Sequence, residues 1–136
     1  MNNLIIYTDG AYSSARDIGG VGVVLLLDGK VIKQYSHSFK HTTNNQMELV
    51  AAILAFRMVK TKYESIVLVS DSQYVIRTIV DNWKTKKNIK LWEQFYIEQT
   101  RLSELCKDIS YKWVKGHANN EYNNRCDVLA SRETEQ

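Results

Sequence analysis

The sequence predicts an α/β fold, and three observations carry that prediction. Leu4-Ile5-Ile6-Tyr7 is an apolar run too short to span a membrane, and it reads as a strand buried on both faces. Two more strand-like runs follow it, and Asp28-Gly29 between them is a strong two-residue hairpin signal. Finally, a long apolar helix pattern separates this meander from a second buried-type run, Ser65 to Ser70. A helix between two hydrophobic strands is the pattern of a parallel crossover, so the first strand and the Ile66 strand should lie side by side in one direction.

Composition agrees with a folded, water-soluble domain. The chain has 136 residues, 44% of them apolar and 24% charged, which suits one domain with a real core and excludes a disordered or membrane-embedded chain. The net charge of +3 permits a polyanionic partner without demanding one. Cys106 and Cys126 lack metal-site spacing, and no signal-like or membrane-length stretch is present, so free thiols and a cytoplasmic setting are expected. With no proline, turns fall to Gly, Asn, Asp and Ser.

The first strand is read as ending at Asp9-Gly10, followed by a polar loop from Ala11 to Gly20. Val21 to Leu27 and Lys30 to Phe39 form the next two strands. Thr43 with Gln46 three positions later fits a capping box, so a helix should start there and run to about Met58. Its expected inward stripe is Met47, Val50, Leu54 and Met58. The Ile66 strand also ends in an acid, Asp71, and a helix bearing Tyr74, Val75 and Ile79 follows. A basic segment, Trp83 with Lys84, Lys86, Lys87 and Lys90, leads into a second long helix whose stripe is Leu91, Phe95, Leu102 and Leu105. Trp92 suits the core better than a ligand. Ile109 to Lys115 alternates as a half-buried strand, a loop carries His117, and a terminal helix begins near Tyr122. The residues from Arg132 to Gln136 read as a frayed polar tail.

Four acids stand out. Each has an ordinary reading when taken alone: Asp9 opens a turn, Glu48 meets a helix dipole, Asp71 caps a helix, and Asp127 lies on a wet helix face. Those readings do not explain why two adjacent parallel strands both end in aspartate, at the sheet edge where α/β folds keep their sites. Hydroxyls and backbone N–H groups at Thr43-Asn44-Asn45 offer a seat for phosphate. The lysine-rich segment with Trp83 suits a nucleic-acid backbone, though a solvated loop has the same composition.

Together these stretches resemble ribonuclease H type 1. The resemblance rests on Thr8-Asp9-Gly10, Thr43-Asn44-Asn45-Gln46-Met47-Glu48-Leu49, Asp71-Ser72-Gln73-Tyr74-Val75 and Trp113-Val114-Lys115-Gly116-His117-Ala118 continuing to Asn124-Arg125-Cys126-Asp127. It runs from about residue 4 to residue 131, in the order and spacing of the family. It implies a ribonuclease H-like fold over residues 1–136 as a single domain: a five-stranded mixed sheet, three antiparallel strands continuing into parallel ones, flanked by helices.

The implied activity is endonucleolytic hydrolysis of the RNA strand of RNA–DNA hybrids, leaving 5′-phosphate and 3′-hydroxyl ends. Asp9, Glu48, Asp71 and Asp127 would hold two Mg²⁺ ions, with Mn²⁺ as a substitute. Hard divalent cations favour carboxylate oxygens, and such a pair can activate water and neutralise the leaving oxygen. Clustered acids would also repel one another in the free protein and raise at least one pKa. His117 matches the family's loop histidine, to which proton transfer or product release is attributed. Asn44, Asn45 and Gln73 match contacts to the RNA strand across the minor groove, and Thr43 and Asn88 match a DNA-phosphate pocket. Trp83, Lys86 and Lys87 would add to the grip, with little sequence preference.

Three departures from the family pattern matter. Ala15 stands near a position where the family's first loop carries asparagine, and His41 stands where an arginine often serves the phosphate pocket. The segment from Asp71 to Trp92 is too short for the long basic protrusion of many bacterial relatives. A weaker, more salt-sensitive grip is expected, leaving room for a protein partner that aids binding; the chain itself is expected to be monomeric. The rival readings are another nuclease or recombinase of the broad fold, part of a larger reverse transcriptase, and a hybrid-binding module without catalysis. Four retained acids argue against the last, and a start at Met1 directly before the first strand favours a stand-alone protein.

Overall fold

A computed structural model describes residues 2–116 and 118–135. The element order is β1 (Asn3–Ser13), β2 (Ile18–Leu27), β3 (Lys30–Lys40), α1 (Asn44–Arg57), β4 (Tyr63–Ser70), α2 (Gln73–Val80), α3 (Ile89–Leu102), β5 (Cys106–Trp113) and α4 (Glu121–Glu133). The strands form one sheet in the order β3-β2-β1-β4-β5. β1, β2 and β3 pair antiparallel, and β4 and β5 join in parallel, which is the expected mixed sheet.

Local chemistry explains the meander. Asp28 and Gly29 both have positive φ, 51° and 80°, so the hairpin takes the turn whose twist matches its strands. One expectation needs correcting. β1 does not stop at Asp9 but continues to Ser13, paired residue for residue with Ile18 to Gly22, so the connecting loop shrinks to 14–17. Ala11, Tyr12 and Ser13 look like loop by composition, yet β2 supplies the backbone partners that make extended structure favourable there.

Alternation along the strands builds two cores. Leu4, Ile6, Val23, Leu25, Ile66 and Leu68 pack with α1, α2 and α3. Ile5, Tyr7, Val24 and Leu26 pack under Cys126 and Leu129 of α4. β2 is thus covered on both faces, which is why its sequence reads as an unbroken apolar run.

α1 is buried more widely than its expected stripe. Leu49, Ala52, Ile53 and Phe56 are fully buried in the main core, whereas Val50, Leu54 and Met58 are only half-buried at its margin. The helix meets the sheet on one side and α3 on another, with the Phe56 and Phe95 rings 5.2 Å apart, so one stripe cannot describe it. In α3, Trp92, Phe95 and Leu102 are the buried residues; Leu105 falls beyond the helix end. At the other end of the chain, Arg132 and Glu133 belong to the last turn of α4, so the polar tail starts later than expected.

Arg101 closes α1 from outside. Its Nη2 donates to Phe56 O at 2.7 Å and its Nη1 to Val59 O at 2.9 Å, while Nε bonds Glu98 Oε1. These carbonyls lie at and just past the end of α1, and charged donors serve them well. Arg101→Ala should lower stability by about 2 kcal/mol. Thermal melting checks it, and cleavage at low temperature should stay at the parent level.

Candidate active site

The site begins where the parallel ladder ends. β1 and β4 pair as far as Thr8↔Ser70, so Asp9 and Asp71 are the next residues on neighbouring strands. Glu48 arrives from α1, which crosses β1 at Gly10. A Cβ at Gly10 would stand 2.4 Å from both Met47 C and Glu48 N, closer than real atoms approach, so only glycine allows this crossing. The Gly10 N–H then donates to Glu48 Oε1 at 2.7 Å and to Asp9 Oδ1 at 2.9 Å.

Glu48 is not a dipole partner of its helix. α1 starts at Asn44 with Thr43 as its cap, leaving no acid in the first turn, and the helix-end field fades beyond that turn. Thr43 Oγ1 accepts from Gln46 N at 3.1 Å, as the capping box predicts. The reciprocal half is absent, because the Gln46 amide is turned to Thr42 and Asn88.

Asp9, Glu48 and Asp71 each offer a carboxylate oxygen, and those oxygens all lie within 4.8 Å of one another. Asp9 is 4% exposed and Glu48 8%. Among the described residues, none of the ion pairs involves these three. Burial first, then the charge of Glu48 and Asp71, pushes the Asp9 carboxyl far above the carboxylate range. Burial and the Asp71 charge raise Glu48 to about 8. Three converging acids, two of which share a single backbone donor, favour a hard divalent cation, so the donor set fits Mg²⁺ or Mn²⁺ by its chemistry.

Asp127 stands outside this tight set, on α4. Its charge nevertheless adds to the raised pKa of both Asp9 and Glu48, and Ser131 Oγ donates to its Oδ1 at 3.4 Å. α4 lies against the sheet because Gly20 and Gly22 leave room for it: a Cβ there would meet Ala130 O at 2.1 Å and Cys126 O at 2.4 Å. His117 lies outside the described residues.

The other expected contact residues fall into two groups. Thr43, Asn44 and Asn45 are exposed at the start of α1, and Gln73 is exposed at the start of α2, two residues after Asp71. Asn88 is half-buried with φ 59° at the start of α3. Its side chain does not cap that helix; Nδ2 donates to Tyr74 Oη and Oδ1 accepts from Gln46 Nε2, both at 3.1 Å. Trp92 Nε1 donates to the same Tyr74 Oη at 2.9 Å. Gln46 therefore ties Asn88 to the helix start that carries Thr43, and one Nδ2 hydrogen of Asn88 remains for a ligand. Lys86 and Lys87 are exposed and Trp83 is 51% exposed, lining a shallow groove with Tyr74 and Thr78.

Sequence reasoning passed over two side chains that hold Asp71. Trp113 Nε1 donates to Asp71 O at 2.9 Å, and Asn123 Nδ2 lies 3.4 Å from Asp71 Oδ2. The available signal was spacing: Asn123 is four residues before Asp127, so both share a helix face.

The sequence profile described as RNase H matches residues 1–135. A protein named Ribonuclease H from Acetivibrio thermocellus is 44% identical over 147 aligned positions, covering 98% of this chain and 95% of that protein. Another of that name, from Syntrophus aciditrophicus, is 43% identical over 136 positions, covering 93% of this chain and 78% of that protein. Among solved structures, RNase H1 from the halophilic archaeon Halobacterium salinarum NRC-1 superposes with a TM-score of 0.78 at 26% identity, covering 98% of each chain. LC11-RNase H1, solved in complex with an RNA/DNA hybrid, shares the fold with a TM-score of 0.77 at 24% identity over 97% of this chain and 96% of that one.

Proposed function

The chain belongs to the ribonuclease H family of enzymes, and on that footing we propose that it hydrolyses the RNA strand of RNA–DNA hybrids endonucleolytically, leaving 5′-phosphate and 3′-hydroxyl ends. One observation carries the reading to this chain's own residues: the mutually close carboxylates of Asp9, Glu48 and Asp71. Asp9, Glu48, Asp71 and Asp127 would hold the divalent cations, Mg²⁺ or Mn²⁺. Two such ions, when bound, supply an activated water and neutralise charge on the leaving 3′ oxygen.

The chain's own groups do the rest. The Gly10 N–H holds Glu48 Oε1 beside Asp9, whose Oδ1 accepts from the same donor. Asp9 and Glu48 must give up protons before they can serve as ligands, which their burial opposes. His117 assists proton transfer or product release. Asn44, Asn45 and Gln73 are exposed amides that can hydrogen-bond 2′-hydroxyls on the RNA strand, which is how such a site tells RNA from DNA. Thr43 and Asn88 grip a phosphate of the DNA strand. The reading takes the whole chain as one cytoplasmic, monomeric domain with both thiols free.

Lys86, Lys87 and Trp83 supply the backbone contact that a longer basic protrusion gives elsewhere. Replacing Lys86 and Lys87 by Ala should raise KM several-fold with kcat nearly unchanged. The slope of log affinity against log salt should shrink by roughly one per lysine. Binding titrations at several salt concentrations would show an unchanged slope if these side chains merely face solvent.

The direct test is a labelled RNA–DNA hybrid with Mg²⁺, run beside duplex RNA, single-stranded RNA and a chelator control. Cleavage confined to the hybrid and lost with chelator supports the proposal. Binding of hybrid without cleavage in either Mg²⁺ or Mn²⁺ would replace it with a hybrid-binding module.

A further inference from the structure

Asn123 is a buried amide whose side-chain oxygen meets no hydrogen-bond partner among the described residues. It sits in the first turn of α4, where its own N–H is taken by the cap, Asn120 Oδ1, at 3.0 Å. Its side chain is directed into the site. The residue is 1% exposed, and Nδ2 reaches Asp71 Oδ2 at 3.4 Å. Among the described residues, its Oδ1 is the buried side-chain polar atom without a hydrogen-bond partner. Turning the amide over would not cure this, because it would set a carbonyl oxygen against a carboxylate oxygen. Leaving such an acceptor dry is costly, and leucine would fill the space without that cost.

The Asn123 amide adjoins Asp71, which with Asp9 and Glu48 forms no ion pair among the described residues, and Asn123 shares its helix face with Asp127. Carboxylate oxygens engaged by the ion and by protein donors have fewer lone pairs left for its water shell. A buried acceptor beside them with none of its own engaged is free to take those hydrogens. A hydrated divalent cation, the species Mg²⁺ presents because it sheds water reluctantly, carries strong O–H donors for that acceptor.

We propose that Asn123 is a positioning residue for the hydrated cation: Nδ2 holds the Asp71 carboxylate in place, and Oδ1 accepts a hydrogen bond from water that enters with the ion. This rests on the divalent-cation reading of the carboxylate site. The role acts through Asp71 and the water shell, and Asn123 does not itself ligate the ion. It accounts for an unsatisfied group that packing alone would have eliminated.

The test compares the parent with Asn123→Leu and Asn123→Asp, using Mg²⁺ and Mn²⁺ titrations by calorimetry and melting of the chelated proteins. The parent must bind the ion; if it does not, the carboxylate reading itself fails. Given that binding, Asn123→Leu should lose about tenfold in Mg²⁺ affinity. Its chelated form should melt at or above the parent temperature. Asn123→Asp keeps an acceptor but sets a second carboxylate against Asp71 where the amide donated, so it should melt lower when chelated and still bind the ion. In hybrid cleavage at saturating Mg²⁺, Asn123→Leu should lower kcat with KM for hybrid unchanged. An Asn123→Leu protein with parent ion affinity and a lower chelated melting point would overturn the proposal, since Asn123 would then only anchor α4.

Discussion

Asp9→Asn is expected to lose hybrid cleavage by at least about 10³-fold while melting several degrees above the parent in chelator at pH 8. Both effects have one cause. Asp9 is 4% exposed and shares its surroundings with Glu48 and Asp71, and its charge is repaid only when a cation is present. The folded pKa values of Asp9 and Glu48 are raised above the unfolded values, near 4, mainly by burial. Between that value and about 8 the folded state therefore retains protons that the unfolded chain has released, and stability falls as pH rises through the window. Below about pH 4 both states are protonated and the penalty is absent.

Asparagine never carries the charge. Its advantage over the parent should accordingly be near zero at pH 4 and grow to about 1–3 kcal/mol by pH 8. Excess Mg²⁺ should reverse the order, because the parent gains binding free energy that the variant largely lacks. Melting curves across pH, with and without ion, make the measurement. Equal pH dependence in parent and variant would mean the acids are not crowded in solution. Asp71→Asn should match it in lost cleavage, whereas His117→Ala should leave a measurable residual rate; equal rates in all three would remove the division of labour assigned to them.

Gly10→Ala is expected to cost roughly 3 kcal/mol and about 10 °C in melting temperature. The added methyl would lie 2.4 Å from the backbone of Met47 and Glu48, and backbone cannot rotate aside as a side chain can. α1 must retreat from β1, taking Glu48 away from Asp9 and weakening the 2.7 Å bond from Gly10 N. Displacement of that kind by about 1 Å commonly costs 10²-fold in rate. Folded Gly10→Ala protein should thus also bind Mg²⁺ more weakly. Parent-like melting together with parent-like cleavage would show that α1 does not depend on this contact.

Much of the fold was legible because its signals are local. Asp28-Gly29 makes its turn through its own backbone preference, and Thr43 caps α1 through a bond to a residue three positions on. Such signals hold whatever the rest of the chain does. The side-by-side placement of Asp9 and Asp71 was also visible, since a helix between two apolar strands makes those strands parallel neighbours. Less legible were features in which distant segments compete. Continuation of β1 past Asp9 depended on backbone partners from β2, and the buried face of α1 depended on α3 as well as the sheet.

By itself, then, the sequence determined the element order, the turn and cap chemistry, and the set of acids. Tertiary structure alone decided that three of those acids converge within 4.8 Å while Asp127 stands outside that set, and that Trp113 and Asn123 hold Asp71. The physical reason is that convergence is set by sheet register and by the close approach of helices at Gly10, Gly20 and Gly22. Residues separated by tens of positions meet there, and no neighbour in sequence records the meeting.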